Sequence, residues 1–269
     1  MTLLLVVLLG LAIGAVLGGL GGGGAILTVP ALVYLVGQPA QAATTSSLVI
    51  VGLTALTGVV TYVRSGRVAW RVGLGVAVAG VPAALGGSYL NHLVREDVLL
   101  LGFSVLMVLA ALAMVGRRPT GDVPGDVGQD ADTGGTGLRP RPGPSWLGIV
   151  GAGLGVGLLT GFFGVGGGFV IVPALVLVLG LPMPMAVGTS LLVVAANSAV
   201  SLVARLGTAH VDWSVTLPFA LAAMAASLVG KRLADRLPAR RLTAGFAVLL
   251  VLVAAYTAWQ SIGGLTTTG

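Results

Sequence analysis

The feature that most constrains this chain is a glycine-rich stretch that occurs twice inside apolar sequence. The first copy covers residues 18–32 and the second covers residues 161–175. Aligning Pro30 with Pro173 defines a constant pairing of positions, the duplication register, which also pairs Trp70 with Trp213 far outside the motif. Because this register holds without a gap over most of both halves, the pattern indicates an internal duplication. Glycine-rich breaks at matching places in two halves point to a binding site where the halves meet.

The composition predicts a protein that lives in a lipid bilayer. Hydrophobic residues make up 56% of the 269 residues and charged residues only 8%, whereas soluble domains carry about 25% charged residues. The net charge of +6 comes from residues scattered through short loops, without the basic stripe of a nucleic-acid-binding protein. With no cysteine and two histidines, neither a metal centre nor a cofactor is expected. The expected partners are the bilayer and a small solute, with no nucleic acid.

Apolar runs predict an all-α polytopic membrane protein. The predicted helices are 3–18, 25–36, 43–63, 70–90 and 98–115 in the first half, and 146–161, 169–179, 186–204, 213–233 and 242–262 in the second. A membrane span needs about 20 residues, so the second helix of each half is too short to cross. Each half is therefore expected to contain a helical hairpin broken by glycines, at 19–24 in the first copy, and three transmembrane helices.

The chain divides into two membrane repeats, residues 1–116 and 146–269. Between them, residues 117–145 are rich in proline, glycine and charged side chains and have no apolar periodicity, which predicts a flexible cytoplasmic linker. The N-terminus has no charged segment before its apolar stretch, so we expect a first membrane helix rather than a cleaved signal peptide.

The distribution of lysine and arginine favours two inverted repeats. With four crossings per half, the basic residues divide 8 against 6, which specifies no orientation. If each broken hairpin turns back and each half crosses three times, 12 basic residues lie on one side and only Arg95 and Arg205 on the other. That division obeys the positive-inside rule. We therefore expect a multi-pass protein of the cell membrane with the linker inside and both termini outside.

The glycine breaks are the first candidate binding residues. After each break a new helix begins, and its first N–H groups lack intrahelical partners, which favours an anion. Non-helical backbone at membrane depth must also be buried in protein or line a cavity. Close packing of helices through small residues is an alternative that the sequence leaves open. The candidate substrate-binding glycines are Gly21, Gly22, Gly23, Gly24, Gly164, Gly166, Gly167 and Gly168.

Hydroxyl groups in matching positions are the second candidates. Ser46 and Ser47 align with Thr189 and Ser190, near the predicted start of the helix that follows each broken one. They can donate hydrogen bonds to an oxyanion or simply cap the helices. Asn197 is either an interhelical hydrogen-bonding residue or a substrate contact.

Charged and catalytic groups give little signal. No charged residue lies in the middle of a predicted helix, so the usual mark of a proton relay is missing. His210 and Asp212 are either a proton-handling pair or part of a solvated loop. The formal G-x-G-x-x-G at 19–24 follows no strand, which excludes a dinucleotide site. Without a nucleophile–base set or a metal cluster, no enzyme is expected.

At these residues the chain resembles the sulfite exporter TauE/SafE family of membrane permeases. The resemblance rests on the glycine run 164–168 with Pro173-Ala-Leu175 and on Gly188-Thr-Ser-Leu191. The first half departs from the pattern at Ala25 and Thr45. The resemblance implies a secondary permease for a sulfur-containing anion such as sulfite or an organosulfonate. A passive anion channel and a non-transporting membrane scaffold are the alternatives, and a homo-oligomer is possible.

Overall fold

The computed structural model describes residues 2–91, 96–116, 145–163, 168–204 and 211–267, and these residues are almost entirely helical. The first half contains α1 (Thr2–Leu20), a 3₁₀ turn (Gly21–Gly24), α2 (Ala25–Pro30), a π-helical turn (Ala31–Leu35), α3 (Ala40–Arg64), α4 (Trp70–Asn91) and α5 (Glu96–Gly116). The second half contains α6 (Trp146–Phe163), α7 (Gly168–Leu177), α8 (Met183–Ala204), α9 (Trp213–Asp235) and α10 (Ala239–Thr267).

Six segments of the described chain are long and apolar enough to cross a membrane. They are Leu3–Leu35, Ala42–Arg64, Trp70–Gly87, Met183–Val203, Trp213–Asp235 and Ala239–Tyr256. Three shorter apolar helices, Ser104–Met114, Trp146–Thr160 and Gly168–Leu177, accompany them. The prediction of an all-α polytopic membrane protein is confirmed. Most of the linker, 117–144, and most of the second glycine break, 164–167, lie outside the described residues.

The first glycine break is a tight 3₁₀ turn rather than a loop. Helix α1 continues to Leu20, and Gly21 then adopts the left-handed region at φ 77°. A Cβ added to Gly24 would lie 2.9 Å from the Leu17 Cα, although seven residues of straight helix span about 10 Å. The chain therefore bends sharply here. Beyond the bend, Leu32 shares one hydrophobic cluster with Val6 and Ile13, so the segment after the turn folds back beside α1.

Helix α1 packs along α9 through small residues spaced four apart. A Cβ on any of these α1 glycines would collide with the α9 backbone, and such spacing lets helix backbones approach closely. The glycines Gly10, Gly14 and Gly18 face Phe219, Ala223 and Ser227 in that order. Because the residue numbers rise together, the two helices run parallel.

Helices α4 and α6 pack against each other in the same way at equivalent positions. We call each of these two close helix contacts, α1–α9 and α4–α6, a seam. Gly153 faces Val76, and Gly157 faces Gly80. The duplication register converts these pairs into the Gly10–Phe219 and Gly14–Ala223 pairs of the first seam. The first helix of each half thus packs on the fourth helix of the other half. The duplication seen in the sequence extends to the packing of the helices.

The equivalent helices α3 and α8 cross in opposite directions. Gly52 of α3 faces Ser198 of α8, and Gly58 faces Leu191. One residue number rises while the other falls, so this pair is antiparallel.

The segments that lead into α3 and α8 also match. Gly37 and Gly180 have φ values of 81° and 68°. The following residue in each half closes a wide hydrogen-bonded turn, from Gln38 N–H to the Leu32 carbonyl at 2.9 Å and from Leu181 N–H to the Leu175 carbonyl at 3.1 Å. This is the glycine-terminated helix end that satisfies carbonyls left open by the last turn.

Candidate functional site

The two glycine copies meet in the interior of the protein. All four glycines of the 3₁₀ turn are buried. A Cβ on Gly22 would collide with the backbone of Gly168, the first residue of α7, and a Cβ on Gly168 would collide with the Gly22 carbonyl. Gly23 lies against the ring of Phe246 in the same way. The N-terminal end of α7, where helix N–H groups lack partners, therefore lies directly beside the first glycine turn.

Ser190 links the glycine turn to the second half. The Gly22 N–H donates to Ser190 Oγ at 3.3 Å, and the Ser190 hydroxyl donates to the Val187 carbonyl at 2.8 Å. Ser190 is fully buried, and its Oγ lies close to the position that a Cβ added to Gly21 would occupy. One peptide N–H of the turn is therefore held by a neutral hydroxyl that an anion could replace.

The other predicted hydroxyls have different surroundings. Thr189 Oγ1 accepts a hydrogen bond from the Ala69 N–H at 3.0 Å, which ties the start of α4 to α8. Ser47 donates to the Thr44 carbonyl at 2.8 Å, the same three-residue spacing that Ser190 uses. Ser46 is completely buried, and its Oγ has no hydrogen-bond partner in the described part of the chain.

Helix capping does not explain these hydroxyls. Helix α3 begins at Ala40 after Pro39, and α8 begins at Met183, three residues before each predicted start. The four hydroxyls consequently lie in the second turn of their helices, too far along to cap them. The capping interpretation is wrong because each helix begins one turn before its apolar run, with a first turn that is polar or contains proline. This correction applies to Ser46, Ser47, Thr189 and Ser190.

Asn197, another predicted substrate contact, lies away from this site. Asn197 is half-buried in α8, seven residues beyond Ser190 and so about 10 Å further along the helix. The structure does not bring it to the glycine turn. Gly164, Gly166 and Gly167 fall outside the described residues.

Buried hydroxyls without a partner among the described residues mark Ser46 and three threonines that the sequence interpretation missed. A buried polar group without a hydrogen bond costs about 1–3 kcal/mol, so such atoms call for a water or a solute. Thr28 and Thr216 are completely buried. In the sequence they are single hydroxyls inside apolar runs, a weak signal. The hydroxyls without a partner among the described residues include those of Thr28, Ser46, Thr160 and Thr216.

A charged cluster closes one end of the helix bundle. Asp235 forms ion pairs of 2.6 Å with Arg67 and with Lys231. The Lys231 ammonium lies 5.4 Å from the ring centroid of Tyr62, whose hydroxyl donates to the Gly18 carbonyl at 3.1 Å. The cluster thereby connects the ends of α3 and α9 to the last turns of α1 before the glycine turn. In the sequence these charges served only as topology markers.

At the start of α9, Asp212 is a helix cap. Its carboxylate accepts from the Ser214 N–H at 3.0 Å and from the Ser214 hydroxyl at 2.6 Å. The hydrogen bond from the Ser214 hydroxyl is the main cause that lowers the pKa of Asp212. His210, its suggested proton-handling partner, lies outside the described residues.

The family model for the sulfite exporter TauE/SafE matches residues 6–257. The chain belongs to this family. A "Probable membrane transporter protein" of Xylella fastidiosa (strain Temecula1 / ATCC 700964) is 34% identical over 257 residues, covering 94% of each chain. "Probable membrane transporter protein YunE" of Bacillus subtilis (strain 168) is 26% identical over 275 residues, covering 97% of this chain and 99% of the relative. No solved structure shows a significant match.

Membership of the TauE/SafE family confirms the resemblance drawn from the glycine motif. The family consists of membrane transporters, so this chain is a multi-pass membrane transporter and not an enzyme. The residues at the meeting of the two glycine copies are therefore the natural place to look for its substrate.

Proposed function

We propose that this TauE/SafE transporter is a secondary permease of the cell membrane that carries a small anion, sulfite or another sulfur-containing anion. Transport proceeds by alternating access around a central site. The observation that carries the proposal is the buried contact between Gly22 and Gly168, which puts one glycine turn against the N-terminal end of α7. Peptide N–H groups and a helix N-terminus bind an anion without a buried cation.

An inverted arrangement of the two halves is part of this proposal. A two-fold axis along the membrane normal would make equivalent helices parallel, whereas an axis in the membrane plane makes them antiparallel. The antiparallel crossing of α3 and α8 supports the second arrangement, as does the 12-to-2 distribution of basic residues. In this orientation the end that carries Arg67 and Asp235 faces the cytoplasm.

The substrate would exchange with Ser190 for the Gly22 N–H. A charged oxygen is a stronger hydrogen-bond acceptor than a neutral hydroxyl, so a sulfite oxygen displaces Ser190 Oγ from this donor. The Ser190 hydroxyl keeps its hydrogen bond to the Val187 carbonyl, so Ser190 occupies the place of the substrate oxygen only while the site is empty. Ser46 offers a further buried hydroxyl, which has no partner among the described residues, and Ser47 offers one that donates to the Thr44 carbonyl of its own helix.

The charged cluster serves as an inner gate in this mechanism. While Asp235 pairs with Arg67 and Lys231, the ends of α3 and α9 are held together. Separation of these ends would release Arg67 at the inner mouth, where it attracts an anion, whereas Lys231 stays paired with Asp235 within α9. The described helices offer no carboxylate relay at mid-depth, so a proton that drives transport would travel on the substrate as its weak acid.

A flux assay in proteoliposomes tests the proposal. We expect saturable uptake of sulfite or thiosulfate by the wild type. Gly168→Ala should abolish it, because its Cβ collides with the Gly22 carbonyl. Gly155→Ala is the matched control, since a Cβ there meets nothing within 4 Å. Gel filtration and the thermal midpoint without sulfite show whether each variant is folded.

Each outcome decides between the alternatives. Absence of saturable anion flux from folded wild type refutes the permease, and flux that rises without saturation together with single-channel currents indicates a passive channel instead. If folded Gly168→Ala carries sulfite as fast as Gly155→Ala, the glycine contact is a packing device and not the substrate site.

A further inference from the structure

A groove of about 400 Å³ opens on the outer surface between α4 and α6. Its walls include Leu74 and Val78 of α4 and Val150 of α6, and its floor includes Gly75 and Ala79. The floor consists of small residues because the two helices pack closely there: a Cβ on Gly75 would lie 2.6 Å from Ile149 Cγ2, and one on Gly153 would lie 2.9 Å from the Val76 carbonyl oxygen. The lining is almost wholly apolar, and Val78 is 72% exposed.

Two hydrogen-bond donors stand at the mouth of this groove. Arg71 and Trp146 belong to the first turns of α4 and α6, which run parallel and so begin at the same end of the bundle. Neither side chain has an ion pair or hydrogen bond within the described residues, and both are exposed. By contrast, Arg67 at the same end is neutralised by Asp235. The groove thus combines an apolar cleft with an arginine and an indole N–H at one end, both without a partner among the described residues.

The duplicated seam between α1 and α9 lacks these features. In the duplication register, Leu217 and Leu221 repeat the apolar wall, but Ser214 replaces Arg71 and Leu3 replaces Trp146. The Ser214 hydroxyl is bonded to the Asp212 carboxylate, which would repel a phosphate. The helix packing is common to both seams, so the cation is a property of one groove and not of the fold.

We propose that the α4–α6 groove is a binding site for an anionic phospholipid of the cytoplasmic leaflet. One acyl chain lies on Gly75 and Ala79 between the walls, and the phosphate pairs with Arg71 beside the indole of Trp146. Basic pockets between transmembrane helices on the cytoplasmic side bind anionic headgroups, and tryptophan favours the headgroup region. The placement in the cytoplasmic leaflet rests on the orientation given under the proposed function, but binding itself does not depend on transport.

Native mass spectrometry of the purified full chain tests the site. The protein is mixed with equal amounts of phosphatidylglycerol and phosphatidylcholine, and the retained lipids are counted. We expect the wild type to prefer phosphatidylglycerol, and Arg71→Gln to weaken that preference about fivefold, the factor for one juxtamembrane cation. Arg236→Gln is the control, because it removes an exposed arginine from the same end outside the groove. Val150→Trp, which fills the groove, should reduce retention of both lipids.

Equal retention of the two lipids by the wild type would overturn the proposal. So would an equal effect of Arg71→Gln and Arg236→Gln, which would indicate a diffuse charge effect. A dimer mass that Val150→Trp converts to a monomer would show that a second copy of the chain covers the groove. None of these results bears on sulfite flux, so failure of the lipid site and failure of the permease are distinguishable.

Discussion

Ser190→Ala is the most informative single substitution, because it removes one acceptor from one buried peptide N–H. The Gly22 N–H donates to Ser190 Oγ at 3.3 Å in a fully buried position. Without that oxygen the N–H has no acceptor among the residues that the structure describes, and an unsatisfied buried donor costs about 1–3 kcal/mol. We expect the free energy of unfolding to fall by this amount, measured by equilibrium unfolding in mixed detergent micelles.

Ser227→Ala is the matched control for this measurement. Ser227 is also completely buried, and its hydroxyl donates to the Met224 carbonyl at 2.8 Å, as Ser190 donates to Val187. It accepts no hydrogen bond from another helix in the described chain. Loss of such a bond within one helix is expected to change stability by less than about 0.5 kcal/mol, because hydroxyl back-bonding contributes little to helices.

The substrate dependence of the same variant tests the proposed site. In the wild type an anion must displace Ser190 from the Gly22 N–H, whereas in Ser190→Ala that donor is already free. Sulfite should therefore stabilise Ser190→Ala by more degrees than it stabilises the wild type, although the variant starts from a lower midpoint. If Ser190→Ala and Ser227→Ala lose the same stability and gain the same sulfite shift, the reasoning about the Gly22 N–H is refuted.

Three further substitutions test other parts of the structure. Asp235→Asn breaks a partly exposed charge cluster and should lower the free energy of unfolding by less than about 1 kcal/mol. It should raise sulfite flux at limiting substrate because it loosens the inner gate, and unchanged flux would contradict the role of the cluster as a gate. Thr216→Val removes a buried hydroxyl that has no partner in the described part of the chain and should leave the thermal midpoint unchanged or higher, whereas a drop of several degrees would reveal a bound water or solute. The pKa of Asp212 is lowered in the folded protein. The helix cap formed by its carboxylate therefore stabilises the fold fully at pH values above the pKa of the unfolded carboxyl, and this stabilisation is lost as the pH falls through the pKa of the folded state. Thermal scans from neutral to acidic pH should therefore show the thermal midpoint of the wild type approaching that of Asp212→Asn. A difference between the two midpoints that persists at low pH would contradict this.

The sequence was sufficient to predict the features that repeat. The duplication register predicted matched helices, and the equivalent hydrogen bonds at Gln38 and Leu181 follow it. It also predicted that the glycine copies would lie together, and Gly22 does contact Gly168. These features depend on local composition and on duplication, which a single chain displays in its order of residues.

Helix starts and long-range polar contacts were not predictable in the same way. Apolar runs placed the starts of α3 and α8 three residues late, because the first turn of a helix can be polar or contain proline without losing a hydrogen bond. The Gly22–Ser190 bond joins residues 168 positions apart, and the Asp235 cluster joins α9 to the loop after α3. Nothing in the local pattern shows which side chains such distant segments bring together.

The glycine seams determine which parts of the transporter can move. Helix α1 packs on α9, and α4 packs on α6, through contacts between backbones. These contacts leave no room for a side chain between the two helices, so neither helix can slide along its partner. Each locked pair takes one helix from either half of the sequence, so the halves cannot separate as rigid bodies. Under alternating access the moving units are therefore the two seams themselves, and the change must occur where they meet, at the α3–α8 crossing and the glycine turn. Ser190 lies at that place, so under the proposed function an anion bound at the Gly22 N–H would change the contact between the two seams.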